Sequence, residues 1–537
     1  MPPQLPSTLR IHHSPPDSSN NPKRRSLHAT VPFPAGSTIA TFPAPLLALP
    51  DGATMRTTCN HCLLPQSQST GPLKACTACR AAVYCGAACQ RAHWRAAHKG
   101  ECGMFRRVRE EVGKEWLPTA VRAVAQVMVA LLRGGSPSMA EAFGEGKEEE
   151  GGRGEWVLEG NVEGFKREEA VWRDMELQAT AAVIQTNAFN RLDADTGMAG
   201  IFLDAGLAMV NHSCVPNAFI GFDKRTAVLR AERPIEEGDE ITISYIARHE
   251  ALRLYHFDCD CSRCKDDLDV YQVCQTSPVI HLNTFSLQPD LSRLHNPPVD
   301  RSKVSKAEIE TIYKKWQSLT TPEGDDEAEH LKLAQTRWEL CRPLVEAKMW
   351  AVEPLPTTIL QLATRWQTSY KMVVYALPLL CFLSTECDPY KAVAPFMPWR
   401  IKGIVAIIKL LAVTGEFTAS GALATRCTHE GLVGTLAMAD QVSMCEALLR
   451  LAVHHGSIGA AEDWEVLKEA KSMLEDLESL EGREQESTML RRWAKDPEDP
   501  EAAAFFEDQV LRPINTLSSF AVETLEAMLA GKSLVKK

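Results

Sequence analysis

Hydrophobic and polar residues alternate in the N-terminal part of the chain, which is the period of a β-strand. Between residues 25 and 41, two such runs flank the turn sequence Pro34–Ser37, so the pattern predicts a strand pair whose return strand is Thr38–Phe42. The alternation recurs in Ala227–Arg230 and again in Ile241–Tyr245, which follows an acidic turn. The first half of the chain is therefore predicted to be rich in strands.

A helical period replaces this alternation in several longer segments. In the first half, Glu110–Leu132 and Val171–Ala188 have helical character. In the second half, Glu329–Val345 and Trp464–Leu477 each place their apolar residues on one helical face, with few Gly or Pro residues to interrupt them. We therefore expect an α+β protein with a β-rich first part and an all-helical C-terminal domain over residues 271–537.

Two segments follow neither period. Residues 1–22 are rich in Pro and Ser and are expected to be disordered. Residues 133–161 are rich in Gly and Glu and are expected to form a flexible acidic insertion. Neither segment is expected to contribute to a core.

The composition is that of an ordinary globular protein, with 537 residues of which 45% are hydrophobic and 24% are charged. The net charge of −11 argues against a generic nucleic-acid or membrane binder. The start of the chain does not have the pattern of a secretory signal. The most apolar segment, Ile401–Val413, is too short to span a bilayer and is predicted to be a buried helix. We expect the protein in the cytoplasm and nucleus.

The 17 cysteines are concentrated in two places. Seven lie between Cys59 and Cys102, and four more lie between residues 214 and 264. In a chain without a secretory signal, dense cysteine favours metal binding over disulfides. The other six are scattered among apolar neighbours and are predicted to be small buried hydrophobes: Cys274, Cys341, Cys381, Cys387, Cys427 and Cys445.

The first group has the paired spacing of a zinc module. Its four pairs are Cys59-x2-Cys62, Cys76-x2-Cys79, Cys85-x3-Cys89 and His98-x3-Cys102. Because zinc prefers four tetrahedral thiolate or imidazole ligands, eight such ligands make two sites. The segment Gly86–Lys99 is predicted to be a helix that presents several of them. A module of this size has little core of its own, so the metal is expected to supply much of its folding free energy.

The order of these ligands, with Tyr84 before Cys85 and with Gln90 and Trp94 in the helix, resembles a MYND finger. The resemblance implies that the first and third pairs share one zinc ion and that the second and fourth share another. These two sets are Cys59, Cys62, Cys85 and Cys89, and Cys76, Cys79, His98 and Cys102. MYND fingers bind protein segments, often proline-rich ones, and such segments are expected as partners.

Two other features of the finger bear on its surface. His93 lies on the same helix at the wrong spacing for a ligand and is expected at the surface. The segment Lys74–Arg109 holds eight basic residues and one Glu. This excess is either an ordinary solvated face or a contact surface for acidic protein or nucleic acid.

The second candidate site centres on Leu207–Ala218, in which Asn211, His212, Ser213 and Cys214 follow an apolar run. Further along, Cys259, Cys261 and Cys264 supply three thiolates, one fewer than a closed structural zinc site requires. Cys214 is the natural fourth ligand. This third zinc site would join the cysteine segment to the Asn-His segment.

The segments Asn211–Cys214, Ile241–Tyr245 and Phe257–Cys264 together resemble the SET-domain lysine methyltransferases. With a MYND finger inserted after Thr41, the chain resembles the SMYD family over roughly Lys23 to Cys264. The resemblance implies a SET fold with an inserted finger and a post-SET zinc site, followed by a helical, TPR-like domain. It implies methyl transfer from S-adenosylmethionine to a protein lysine, with three zinc ions and with Tyr245 as the active-site tyrosine. The implied cofactor contacts are Asn187, Asn211, His212, Tyr245 and Phe257, and Tyr255 is an implied channel residue.

The implied domains are a SET N-terminal part (23–58), the MYND finger (59–102), the SET insertion and core (103–247) and the post-SET segment (248–270). The family usually has Gly-x-Gly near the start of the SET fold, where this chain has Arg24-Arg25-Ser26. Two functions therefore stay open: a protein-lysine methyltransferase, and a non-catalytic zinc scaffold that binds protein partners. A monomer that does not bind membranes is expected.

Overall fold

All strands in the described part of the chain lie within its first 245 residues. The computed structural model describes residues 5–13, 25–132, 175–193, 197–245, 259–322, 326–369, 372–461 and 464–530. The strands are β1 Leu9–His13, β2 Arg25–Ala29, β3 Thr38–Phe42, β4 Leu47–Pro50, β5 Lys74–Ala75, β6 Val83–Tyr84, β7 Phe189–Asp193, β8 Gly197–Leu203, β9 Asn211–His212, β10 Ala218–Asp223, β11 Thr226–Ala231 and β12 Thr242–Ile243. The predicted acidic insertion at 133–161 lies outside the described residues.

The strands form small sheets whose neighbours are often distant in sequence. Strand β1 pairs with β2, β3 pairs with β11 beside β10, and β4 pairs with β8 beside β7, all antiparallel. Strands β5 and β6 form a hairpin within the finger, whereas β9 and β12 run parallel. The short parallel pair is the one that brings the predicted site segments together.

Two expectations about the N-terminal part are wrong. Residues 1–22 were expected to be disordered, but Leu9–His13 forms a strand that contributes Leu9 to the core. The strands expected at 25–41 exist, but they do not pair with each other, because β2 pairs with β1 and β3 pairs with β11. Both sheets nevertheless contribute to one shared core, in which Leu27 of β2 and Leu229 of β11 are fully buried.

The first part of the chain has five α-helices in its described residues. They are α1 Ala87–His93, α2 Lys99–Val112, α3 Thr119–Leu132, Met175–Asn187 and Ser262–Lys265, with a π-helical turn at Trp94–His98. The single helix expected at Glu110–Leu132 is interrupted, because Gly113 takes a left-handed conformation (φ 68°) that ends α2. Helix α3 then buries Val124 and Val127 against β4 and β8.

The chain divides into two compact units, Met1–Lys265 and Asp266–Lys537. In its described residues the second unit has helices and no strands, which confirms the predicted α+β class with a largely helical C-terminal region. The helices expected at Ile401–Val413 and Trp464–Leu477 are present, and the one at Glu329–Val345 breaks at Cys341. Its helices are Val270–Gln275, Leu291–His295, Lys306–Ser318, Glu327–Leu340, Arg342–Glu346, Leu355–Thr368, Val373–Phe382, Asp388–Lys391, Pro398–Ala419, Leu423–Arg426, Glu430–Met438, Gln441–Gly459, Glu465–Glu478, Glu484–Lys495, Pro500–Phe506, Arg512–Ser519 and Ala521–Leu529.

The six scattered cysteines are all buried in this second unit, as predicted. No single helix in the described ranges has the length and apolarity needed to cross a membrane, although the bent pair Glu430–Met438 and Gln441–Gly459 meets the length and composition test when taken together.

Candidate functional site

The predicted site segments meet where β9 and β12 run side by side. Asn211 pairs with Thr242 and His212 with Ile243, and the backbone N–H of Ser213 donates to the carbonyl of Ile243 at 3.0 Å. A parallel pair fixes both chain directions, so residues just beyond each strand emerge on the same side. Tyr245 follows β12 and therefore lies beside the Asn-His segment.

Tyr245 is held at both ends. Its backbone N–H donates to Nδ1 of His212 at 3.0 Å, and its hydroxyl donates to the carbonyl of Val210 at 2.6 Å. Because the hydroxyl proton is directed at Val210, the phenolic oxygen is oriented with its lone pairs away from that carbonyl. A group in this state is suited to accept a hydrogen bond from an amine rather than to act as a strong base.

The imidazole of His212 bridges Tyr245 and the cysteine cluster. Its Nδ1 accepts from the backbone of Tyr245, so in the neutral ring the proton is on Nε2. That nitrogen lies 3.2 Å from Sγ of Cys214, and His212 is only 5% exposed. The ring thus faces Tyr245 and Cys214, and a role in cofactor binding would fall to its backbone.

Asn211 is fixed through its side-chain amide. Its Nδ2 donates to the carbonyl of Arg25 at 3.0 Å and to Oε1 of Glu240 at 2.7 Å. Both amide protons are therefore used, which orients the side-chain carbonyl oxygen of this half-buried residue. Glu240 was missed by the sequence reasoning, which had assigned it only to a turn.

Asn217 is a second residue that the sequence reasoning missed. It is buried, its amide nitrogen donates to the Glu240 carbonyl at 2.9 Å, and its amide oxygen accepts from the backbone of Thr242 at 2.8 Å. It therefore holds β12 in register beside β9. The available signal was its position in Val215-Pro216-Asn217, directly after the cysteine, where an Asn commonly supplies side-chain hydrogen bonds to a turn.

Of the remaining predicted cofactor residues, the structure gives a local contact for Asn187. Asn187 is the last residue of helix Met175–Asn187, and its Nδ2 donates to the carbonyl of Val183 at 2.9 Å. Phe257 and Tyr255 lie outside the described residues. Their roles stay predictions.

The structure brings together the four cysteines proposed for the post-SET site. The Sγ atoms of Cys214, Cys259, Cys261 and Cys264 all lie within 4.8 Å of one another. Cys264 lies 3.5 Å from both Cys214 and Cys261, close to the sulfur–sulfur distance of about 3.8 Å that tetrahedral zinc–thiolate bonds of about 2.3 Å require. Burial opposes ionisation of Cys261, but hydrogen bonds from Cys264, Cys259 and Cys214 together outweigh it and lower the Cys261 pKa to about 7. The cluster could bind zinc.

The finger ligands also gather in the two predicted sets. In the first, Cys85 lies 3.7 Å from Cys62 and 3.5 Å from Cys89. In the second, Nε2 of His98 lies 3.5 Å from Sγ of Cys79. Each set keeps its ligand atoms within 4.8 Å of one another: Cys59, Cys62, Cys85 and Cys89; Cys76, Cys79, His98 and Cys102. Both sets have the donor chemistry that fits zinc.

The expectation that His93 lies at the surface is wrong. The residue is 5% exposed, and its Nδ1 lies 3.0 Å from the hydroxyl of Tyr84. Burial lowers the pKa of its imidazole to about 3, so the ring is neutral at pH 7. Spacing along α1 alone did not reveal that this helix side faces inward.

Comparison with known proteins gives a domain match and several relatives. The SET domain family matches residues 24–246. The chain is 28% identical over 270 residues to "Histone-lysine N-methyltransferase ASHR1" of Arabidopsis thaliana, covering 46% of this chain and 54% of that protein. It is 31% identical over 230 residues to human "Histone-lysine N-methyltransferase SMYD3", covering 38% and 51%.

A fission-yeast relative carries both domain names. The chain is 28% identical over 264 residues to "SET domain and MYND-type zinc finger protein 6" of Schizosaccharomyces pombe, covering 44% of this chain and 49% of that protein. The matched region spans about half the length of each of these relatives. With a SET domain match over residues 24–246, eight finger ligands gathered in two sets and relatives of this type, the chain is similar to the SMYD family of SET and MYND domain proteins.

Proposed function

We propose that this chain is an S-adenosylmethionine-dependent protein-lysine N-methyltransferase of the SET type. The observation that carries the proposal is the double attachment of Tyr245, whose hydroxyl donates to Val210 and whose backbone N–H donates to His212. This arrangement presents a fixed oxygen acceptor beside the Asn211 segment. A substrate amine and a polarised methyl group both need such an acceptor in their transition state.

The cofactor supplies an electrophilic methyl group when bound. The proposed contacts are Asn187, Asn211, His212, Tyr245 and Phe257. Asn211 fits this role because its amide protons are used by Arg25 and Glu240. Its half-buried carbonyl oxygen has no hydrogen-bond partner among the described residues, and the ammonium group of the methyl donor could donate to it.

The protein's own part in the reaction is to orient and deprotonate the substrate. A free lysine has a pKa of about 10.4 and must lose a proton before it can act as a nucleophile. A dry channel lowers that pKa, and the Tyr245 oxygen then orients the neutral amine in line with the methyl carbon. The lysine nitrogen would form the new bond as the carbon–sulfur bond of the methyl donor breaks, which would leave S-adenosylhomocysteine and a protonated N-methyllysine. The proton that the substrate ammonium group loses before the attack would go to solvent.

The second candidate is a non-catalytic scaffold, which one observation favours. Where the family usually has Gly-x-Gly, this chain has Arg24-Arg25-Ser26, and Arg25 and Ser26 belong to the regular pairing of β2 with β1. Ser26 is buried and its hydroxyl lies 3.0 Å from Nε2 of His28. Side chains therefore occupy a place where glycines would let a backbone approach a ligand.

Calorimetry with S-adenosylmethionine separates the two functions. The methyltransferase should bind the cofactor and methylate lysines in a protein library, and Tyr245→Phe should lower the rate by at least about 100-fold because the oriented oxygen is lost. The matched control is Tyr313→Phe, at a half-buried tyrosine of the second unit whose hydroxyl accepts from Gln317. Absence of binding at millimolar cofactor would favour the scaffold, and equal rates for wild type and Tyr245→Phe would refute the role of Tyr245.

The finger is the proposed docking site for proline-rich protein segments. Trp94 is 42% exposed on the π-helical turn, between the exposed side chains of Arg91 and Arg95. Aromatic rings at the surface are the feature that recognises proline-rich segments. The three zinc ions, a monomeric state and a location in the cytoplasm and nucleus belong to the same proposal.

A further inference from the structure

A buried ion pair lies beneath the finger and is not used by the proposed chemistry. Glu101, in the first turn of α2, is 1% exposed, and Arg122 on α3 is 0% exposed. Nε of Arg122 donates to Oε1 of Glu101 at 3.2 Å. A buried pair of this kind contributes little net stability, because desolvation of both charges offsets their attraction. The pair therefore calls for another explanation.

The second oxygen of Glu101 faces a proposed zinc ligand. Oε2 lies 3.6 Å from Nδ1 of His98, and both atoms are buried without a hydrogen-bond partner among the described residues. On its other side, the His98 ring directs Nε2 at Cys79. Metal-bound histidines commonly donate their second N–H to a carboxylate, which fixes the ring and its tautomer. Glu101 stands where such an acceptor would be.

His93 also approaches this carboxylate, with Nε2 at 3.8 Å from Oε2. His93, His98 and Glu101 together could be read as a further metal site. The guanidinium of Arg122 argues against that, because it already neutralises the same carboxylate and would repel a cation. The group is better explained as an outer shell of the finger's second zinc site.

Arg122 connects this outer shell of the finger to strand β4 of the first unit. Its Nη1 donates to the carbonyl of Pro50, at the end of β4, at 3.4 Å, and its Nη2 donates to Oδ1 of Asn60 in the finger at 3.4 Å. Asn60 in turn donates to the carbonyl of Met55 at 2.8 Å. One side chain thus connects α3, the last residue of β4 and the first finger loop.

The packing of α2 on α3 makes these contacts possible. A Cβ on Gly100 would lie 2.7 Å from Cγ1 of Val129, so only glycine allows this close approach next to Glu101. The carboxylate is thereby held at the distance where it meets Arg122.

We propose that Glu101 and Arg122 form a latch through which zinc at the second finger site sets the packing of the finger on strand β4. Zinc on Nε2 of His98 places the proton on Nδ1, Glu101 accepts it, and the carboxylate holds Arg122 against Pro50 and Asn60. Loss of the metal no longer fixes the His98 ring and its tautomer, so Glu101 loses its oriented donor and the guanidinium loses its fixed partner. The latch rests on the proposed zinc role of His98 and is independent of methyl transfer.

The first experiment measures the rate at which the full chain releases zinc to a chromogenic chelator. The number of ions released by the wild type checks that the three proposed sites bind zinc. In Glu101→Gln one ion should leave ~10–100-fold faster, the usual effect of removing an outer-shell partner, while the others keep their wild-type rates. Glu110→Gln makes the same chemical change at an exposed position of α2 and should release all ions at the wild-type rate. Equal release from the two variants would overturn the proposal, as would faster release of every ion.

The double variant Glu101→Gln/Arg122→Met tests whether faster zinc release comes only from the buried, unpaired charge that Glu101→Gln leaves on Arg122. It removes the cation together with the carboxylate, so one ion should still leave faster if the acceptor is what matters. Recovery of the wild-type rate in the double variant would assign the effect to the unpaired arginine and refute the outer-shell role.

The second experiment uses amide hydrogen exchange to test whether zinc at the finger affects strand β4 through Arg122. Removing zinc from the wild type should raise exchange in β4, at Leu47–Leu49, because Arg122 no longer holds Pro50. In Arg122→Met, exchange there should already be raised and should not change further when zinc is removed. An equal increase in both proteins, or none in the wild type, would refute the latch.

Discussion

The bridging position of His212 leads to a prediction that separates its two contacts. In His212→Asn, the amide oxygen stands near the position of Nδ1 and can still accept from the backbone of Tyr245. In His212→Gln, the amide nitrogen stands near the position of Nε2 and can still donate to Cys214. Each variant therefore preserves one contact of the imidazole and removes the other.

The sizes of the two losses follow from the groups left without a partner. In His212→Gln, the backbone N–H of Tyr245 loses its acceptor, which costs about 1–3 kcal/mol. A displacement of about 1 Å at the reacting group lowers a rate by about 100-fold. In His212→Asn, the Cys214 sulfur loses a hydrogen bond worth about 1.5–3 kcal/mol when it is a thiolate, which weakens metal binding by roughly 10–150-fold.

The assay is a methylation rate for both variants, with zinc release measured on the same samples. We expect His212→Gln to lower kcat by about 100-fold while it retains zinc at the post-SET site, and His212→Asn to keep most of kcat while it releases that ion faster. The binding of S-adenosylmethionine by calorimetry reports separately on the cofactor pocket. If the two variants lose activity and zinc in parallel, the separation of the two contacts is refuted.

Three further changes have expected outcomes. Cys259→Ser should retain two of the three proposed zinc ions by elemental analysis, and three retained ions would remove Cys259 from the ligand set. Gly459→Ala should destabilise the second unit in thermal unfolding, because a Cβ there would lie 1.8 Å from the Phe396 carbonyl oxygen. Gly434→Ala, in an open part of a helix, should stabilise this unit by about 0.5–1 kcal/mol. Destabilisation by both substitutions would contradict the packing described for Gly459. Burial raises the pKa of Asp388 from 3.8 to about 6. The contribution of its neutral carboxyl to stability is therefore complete below pH 4, and about 3 kcal/mol of it is lost as the pH rises through 6. Urea unfolding at several pH values should show this loss in the wild type and not in Asp388→Asn.

Much of the site was predictable because its signals are local in sequence. Pairs such as Cys59-x2-Cys62 and Cys85-x3-Cys89 need only a turn or one helical turn to converge, and the structure gathers all three proposed ligand sets. The helices of the second unit were also predictable, because a helix is stabilised along its own apolar face. Its six cysteines are buried as predicted, because they have apolar neighbours in sequence.

Strand pairing was decided by the tertiary structure. The alternation near residues 25–41 predicted both strands but paired them as a hairpin, whereas β2 pairs with β1 and β3 with β11. Alternation marks which face of a strand is buried but carries no information about its partner. The strand Leu9–His13 was missed because its segment is rich in residues typical of disorder, and it is ordered by pairing with β2.

The sequence by itself determined the ligand pairs and the helical second half, because each depends on short-range spacing. The assignment of the finger pairs to two ions and the choice of Tyr245 came instead from the resemblance to the SMYD family. Only the tertiary structure decided that the ring of His212 points at Tyr245 and Cys214, that Asn211 is held by Arg25 across 186 positions, and that Arg122 connects β4 with the finger. Most of these contacts join a side chain to a residue that is distant in sequence. They exist only after the sheets and helices have packed, and no periodicity along the chain specifies them.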